Sequence, residues 1–313
     1  MALSLKIDFP VHPFRIIEPN SNIMLIGSCF TENIGERMLA GGINVNINSF
    51  GILYNPISIS NAILRIHRKS FYTPEDLFEN HERRFVSFDH HGRYSGYDAA
   101  EVLEKINMSI EEAHFFLKKA DCLIITFGSA WVYRYLKKDK IVANCHKVPS
   151  KEFSRSMLEV AEIDEVFNEA ILELKRNYPA LNIICTISPV KNLRDGVTEN
   201  LQSKSSLVLA CRQLMNRRYE QVYYFPAYEI VTEELRDYRF YETDHSHPNK
   251  LAVDYLWERF TELCFKESAF EKLKTSQQLL KAMEHRSLHG NGNQNLEIYK
   301  KINEYLKNYP KIE

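Results

Sequence analysis

"IMLIGSCFTENIGERM", residues 23–38, carries an apolar run through Gly27 straight into a helical pattern that begins near Thr31. Short apolar runs bounded by turn chemistry read as buried strands. Glycine lets a chain turn tightly from such a strand into a helix. The same transition recurs along the chain. Strand patterns fall at "NIMLI" (22–26), "NVNIN" (44–48), "CLIITF" (122–127), "NIICTI" (182–187) and "VYYFP" (222–226). "CLIITF" and "NIICTI" are nearly continuous apolar runs, the pattern of strands covered on both faces of a parallel sheet.

Helical patterns alternate with them. "TENIGERMLA" follows the first strand and "ISISNAILRIHRKS" the second, while "DAAEVLEKINMSIEEAHFFLKKA" precedes the third. "EIDEVFNEAILELKRNY" and "QSKSSLVLACRQLMNRRY" precede the fourth and fifth, and "KLAVDYLWERFTELCF" follows "YETDHSHPN". This alternation predicts an α/β sandwich on a parallel sheet of about five strands. Residues 265–313 differ: "FEKLKTSQQLLKAMEH" and "NLEIYKKINEYLKNYP" are charged helical patterns joined by "RSLHGNGNQ". The chain therefore divides into an α/β domain, 1–264, and a C-terminal helical hairpin, 265–313, that packs on the domain or mediates assembly into an oligomer. The aromatic- and histidine-rich insert 67–97 fits neither period.

Composition narrows the function. Of 313 residues, 40 are Lys or Arg and 41 Asp or Glu, a net charge of −1 that offers no basic surface to a nucleic acid. The N-terminal segment is broken by Asp8, Pro10 and Pro13, so no signal-peptide core is expected. No apolar run reaches the length of a membrane span. Six scattered cysteines without a C-x-x-C pair read as free thiols in a reducing, cytoplasmic setting.

In an open parallel sheet, ligands bind outside the carboxyl ends of the strands. The segments expected there are Gly27-Ser28-Cys29, "NSFGILYNP" with Gly51, Tyr54 and Asn55, "GSAW" (128–131), "SPVKNLRDG" (188–196) and "DHSH" (244–247). Ser28 has the setting of a hydrolase nucleophile, beside a glycine and at the positive end of a helix; the alternative is a helix cap. Asp244 and His247, three apart on a turn, bring a carboxylate beside an imidazole, the pair that fixes a tautomer and stabilises imidazolium. Their alternatives are an Asp cap beside solvent-facing histidines, or a metal site completed by His90, His91 or His146, although spacing of the H-E-x-x-H kind is missing. Pro248 suits the first helical position of the following helix. Cys29 is the rival nucleophile, since a thiol at a helix N-terminus is acidified, but Ser28 is preferred. Asn144, His146, Arg194, Asp195, Asn200 and Lys204 offer polar groups to a pocket; Lys204 is expected on a solvated helix face and His146 could equally be structural. Tyr54 and Trp131 could stack on a ligand or fill the core. A phosphate loop is excluded because "GSCFTENIG" lacks its lysine and spacing.

"GSCF" resembles the motif that names the GSCFA family, a branch of the SGNH (GDSL-like) hydrolases. "NCHKVP" (144–149), "SPVKNLRDGVTENLQSKS" (188–205) and "FPAYEIVTEELRDYRFYETDHSHPN" (225–249) are also similar to that family, across about residues 22–260. The resemblance implies a three-layer α/β/α, flavodoxin-like fold and a serine hydrolase without metal or cofactor, with Ser28 as nucleophile and Asp244 and His247 as the D-x-x-H block. Gly51 matches the glycine whose N–H joins that of Ser28 in the oxyanion hole. The departure is at Gly128-Ser129-Ala130, where the superfamily carries G-x-N-D and Ala130 replaces the Asn donor. Ser129, Asn55 and Asn144 are the candidate replacements. The expected activity is hydrolysis or transfer of an acyl group from a small ester or acylated carbohydrate. The alternatives are a catalytically weak binding module of the same fold and an assembly protein acting through its C-terminal hairpin.

Overall fold

A computed structural model describes residue 7 and residues 9–285. In chain order the strands are β1 (Asn22–Gly27), β2 (Asn44–Ile47), β3 (Phe78–Glu79), β4 (Phe85–Val86), β5 (Cys122–Phe127), β6 (Trp131–Tyr135), β7 (Lys140–Val142), β8 (Phe153–Met157), β9 (Asn182–Ile187) and β10 (Val222–Phe225). The helices are α1 (Cys29–Ala40), α2 (Pro56–Arg68), α3 (Ala99–Leu117), α4 (Val160–Asn177), α5 (Val197–Asn216), the single turn α6 (Ala227–Glu229), α7 (Lys250–Cys264) and α8 (Glu267–His285).

The main sheet runs β10-β9-β5-β1-β2 with every pairing parallel. Numbered among themselves these strands read 2-1-3-4-5, the flavodoxin-like order, and the three-layer α/β fold is the one the sequence predicts. Alternation along each strand builds two cores. Met24, Ile26, Leu123, Ile125, Phe127 and Ile183 face one side, under α2, α3, α4 and α5. Ile23, Leu25, Cys122, Ile124 and Ile184 face the other, under α1, α7 and the start of α8. All five strands of this sheet were legible as apolar or alternating runs.

The chain direction reverses its stepping between β1 and β5, so the crevice at the carboxyl end of this pair is where an open sheet of this kind takes a ligand. Gly27 closes β1 there, opposite Thr126.

Two small antiparallel sheets, β3-β4 and β7-β6-β8, lie outside the main one. The insert 67–97 contains the first, and its main chain docks on the rim: the His91 N–H donates to the Phe50 carbonyl at 2.9 Å. Of the expected C-terminal hairpin, only the first helix is described. Ala269 and Leu273 of α8 are buried with Ile17 and Phe265, and the Ser276 hydroxyl donates to the Gly41 carbonyl at 3.0 Å. The pattern "NLEIYKKINEYLKNYP" lies outside the described residues. All six cysteines are free thiols, and no described helix is long and apolar enough to cross a membrane.

Candidate active site

Gly27 adopts φ +144°, and a Cβ there would stand 2.2 Å from the Thr126 carbonyl oxygen, so only glycine fits this turn. Its N–H donates to Asn48 Oδ1 at 2.9 Å, which ties the end of β1 to the end of β2. Ser28 follows as the N-cap of α1. Its hydroxyl accepts from the Phe30 N–H at 3.3 Å and its carbonyl from the Thr31 N–H at 2.9 Å. Ser28 is 1% exposed. The capping alternative thus describes the bonds Ser28 makes, while the positive end of α1 does sit at its hydroxyl.

Both N–H groups of the expected oxyanion pair already have backbone partners. The Ser28 N–H donates to the Thr126 carbonyl at 3.3 Å and the Gly51 N–H to the Asn48 carbonyl at 2.6 Å. Neither is a free donor. Gly51 is required for another reason: at φ +76° a Cβ would lie 2.2 Å from the His91 Cβ of the docked insert. Cys29, the first helical residue, is more open than Ser28. Burial is the main influence on its thiol and pushes its pKa up; the Phe30 N–H and, more weakly, the charge of Lys204 pull the other way.

Asp244 and His247 form the pair their spacing predicts. His247 Nδ1 lies 2.6 Å from Asp244 Oδ2, and since a carboxylate only accepts, Nδ1 carries the proton. The other oxygen, Oδ1, accepts from the N–H groups of Ser246 and His247 at 2.9 and 3.0 Å. Those backbone and imidazole bonds hold the Asp244 carboxyl well below the usual carboxylate range. The pair is open to solvent, with side-chain exposures of 55% for His247 and 49% for Asp244. The loop is tethered by the Lys191 N–H, which donates to the Ser246 carbonyl at 3.0 Å and so joins it to the exit of β9. Asn249, not Pro248, starts the next helix: its side chain caps α7 by accepting from the Ala252 N–H at 3.1 Å, which moves Pro248 outside the first turn. Among the described residues no hydrogen bond joins the Ser28 hydroxyl to the His247 ring, whose Nε2 is without a partner.

The other candidates have structural duties. Asn55 caps α2, its Oδ1 accepting from the Ser58 N–H at 2.8 Å. The Asn144 Oδ1 accepts from the His146 N–H at 2.9 Å, and the buried His146 ring contacts the Ser87 carbonyl through Nε2 at 2.7 Å. Burial lowers the His146 pKa, which fits the structural alternative. Ser129 accepts from the Trp131 N–H at 3.1 Å, and its own N–H donates to the Tyr54 carbonyl at 3.0 Å. Ala130 is fully buried and its N–H donates to Ser203 Oγ at 2.8 Å. Tyr54 is exposed on the rim, and Arg155 lies over the Trp131 ring at 3.9 Å.

Lys204 overturns the expectation of a solvated face. It is 1% exposed, and its ammonium donates to the Gly128 and Ser188 carbonyls, both at 2.7 Å. Burial lowers its pKa to about 7, with Cys29 acting weakly upward. The signal was present in the sequence: Asn200, Ser203, Lys204, Leu207 and Cys211 repeat at the spacing of a buried helical stripe, and all are buried.

The sequence pattern of the GSCFA family matches residues 22–260. The chain belongs to the GSCFA family. Among curated proteins none matches it. Among solved structures it is similar to a family two carbohydrate esterase from Clostridium thermocellum, at 13% identity and TM-score 0.37, covering 82% of this chain and 65% of that one. It is similar to a carbohydrate esterase family 2 enzyme with a carbohydrate binding domain from Corynascus thermopiles, at 11% identity and TM-score 0.39, covering 82% and 67%. An acetyl xylan esterase, Est2A, from Butyrivibrio proteoclasticus stands at 12% identity and TM-score 0.38, covering 82% and 65%.

Proposed function

We propose that this GSCFA-family protein hydrolyses or transfers acyl groups from a small ester or acylated carbohydrate, with His247 as general base, Asp244 as its orienting carboxylate and Ser28 as nucleophile. The observation that carries the reading is the Asp244–His247 pair: the carboxylate holds Nδ1 and leaves Nε2 free to accept a proton. For transfer, the Ser28 hydroxyl leaves the Phe30 N–H and turns to Nε2. Its proton passes to the imidazole as Oγ bonds to the carbonyl carbon, and the carbonyl electrons move onto oxygen beside the positive end of α1. Collapse expels the alcohol, which takes the proton from His247. Water, deprotonated by the same nitrogen, then releases the acid and restores Ser28; an acceptor alcohol in its place gives transfer.

The greater exposure of Cys29 favours a second reading, in which its thiol carries the acyl group with the same base. The full-length protein assayed on p-nitrophenyl acetate separates these. Ser28→Ala and His247→Ala are each expected to lower turnover by on the order of 10²–10⁴, and Ser28→Ala to abolish fluorophosphonate labelling. Labelling unchanged in Ser28→Ala rejects Ser28, and loss of turnover in Cys29→Ala instead selects the thiol. Turnover equal in wild type and His247→Ala would leave the binding-module alternative.

A further inference from the structure

Three side chains on one face of α5, Asn200, Ser203 and Lys204, are buried, and each bonds the main chain of a loop at the carboxyl edge of the sheet. Asn200 Oδ1 accepts from the Asn192 N–H at 2.8 Å, and Ser203 Oγ from the Ala130 N–H at 2.8 Å. Lys204 bridges the exits of two adjacent strands, Gly128 after β5 and Ser188 after β9.

From this bridge, one line of hydrogen bonds runs toward each half of the candidate site. On one side the Gly128 N–H donates to the Tyr54 carbonyl at 2.8 Å, and the neighbouring Leu53 N–H donates to the Gly27 carbonyl at 2.9 Å, next to Ser28. On the other, the loop that begins at Ser188 passes through Lys191, whose N–H holds the Ser246 carbonyl between Asp244 and His247. Lys204 is thus linked through main-chain hydrogen bonds both to the segment bearing Ser28 and to the loop bearing Asp244 and His247. Two backbone carbonyls need only neutral donors, so an ammonium at this depth is costly unless its charge is used.

We propose that Lys204 is a positioning residue of the GSCFA site: its ammonium fixes the spacing of the β5 and β9 exits, and with it the approach of Ser28 to His247, while its charge favours an oxyanion formed beside α1 where Ala130 offers no side-chain donor. This rests on the hydrolase reading above. The groups that face the ammonium are the Gly128 and Ser188 carbonyls, Cys29 from α1 and the Tyr228 ring from α6, 5.5 Å away. None of these is a carboxylate, and among the described residues no counter-ion neutralises the charge. Because burial lowers its pKa to about 7, the charge is present below about pH 7 and lost above it.

The test is ester turnover by wild type, Lys204→Met and His247→Ala across pH 5.5–9, with folding followed by circular dichroism. A folded Lys204→Met is expected to lose about 10-fold or more in kcat with KM changed less than about 3-fold, and to lose an alkaline fall that wild type shows near pH 7. Methionine fills the same volume without the charge, so a purely packing role predicts wild-type kcat. A folded Lys204→Met with kcat within twofold of wild type overturns the proposal while leaving the hydrolase reading intact. Turnover unaffected by His247→Ala overturns both. Should Lys204→Met fail to fold, the wild-type profile decides: a flat kcat between pH 6 and 9 overturns the role of the charge, and an alkaline fall supports it.

Discussion

Asp244 is held by three donors while half its side-chain surface meets water, so in the proposed mechanism its part is orientation more than energy. Asp244→Asn keeps the shape but offers an amide where the imidazole needs an acceptor, which favours the wrong tautomer. The expected result is a fall in kcat of on the order of 10²–10⁴ with KM little changed, read from steady-state ester turnover. The pH sign follows from the depressed carboxyl. Its order is present above the ordinary carboxylate range and is lost only as pH falls through the lowered value. An acid limb of kcat lying above about pH 4 therefore does not arise from this group. The Asp–His pair was legible because both members sit within one short turn. Lys204 was misjudged because its partners, 76 and 16 residues away, come together only when β5 and β9 pair.

The polar stripe of α5 makes the helix a latch as well as a cover for the sheet. Ser203→Ala removes the acceptor for the N–H of fully buried Ala130. Leaving a buried donor unmatched costs about 1–3 kcal/mol, so urea unfolding should show a lower midpoint with an unchanged slope. Elements of the main sheet were readable because burial on both faces writes long apolar runs. β6, β7 and β8 were not: "WVYRY", "KIV" and "FSRSM" belong to a partly exposed antiparallel sheet whose charged positions interrupt the pattern. The paired residues of β3 and β4, two each, are too short to leave any period. Asn55 shows a different kind of ambiguity, since an Asn before a proline-led helix serves equally as a donor at a site or as a cap, and only the Ser58 contact decides.

Three histidines that fold away from water tie the stability of the molecule to pH. His90 is fully buried and stacked on Phe50 with ring centroids 4.5 Å apart, and burial pushes its pKa well below the ordinary value; burial also lowers His146 and His67. Unfolded histidine takes a proton near pH 6.5 while the folded rings resist it, so the unfolded state binds more protons below that point. The histidine contribution to stability is fully present above about pH 6.5 and falls as pH drops, by up to about 1.4 kcal/mol per pH unit for each ring kept fully neutral. Thermal melts at pH 7.5 and 5.5 should show a lower Tm in acid, and His90→Phe, which retains the stack, should reduce the difference. An equal difference in both proteins would remove His90 from this account.

Asn44 and Asn46 of β2, with Asn48 just beyond it, make the border of the main sheet polar. β2 is the last strand of the main sheet on its side, only four residues long. Asn44 donates to Asn22 at 2.6 Å, Asn46 accepts from the Ser49 hydroxyl at 2.6 Å, and Asn48 turns at φ +49° to hold Gly27. A border this brief and polar, bent away at its end, offers little template for a foreign chain to add itself. Asn48, which holds Gly27 at the crevice, thus also helps to close this border of the sheet to edge-to-edge pairing.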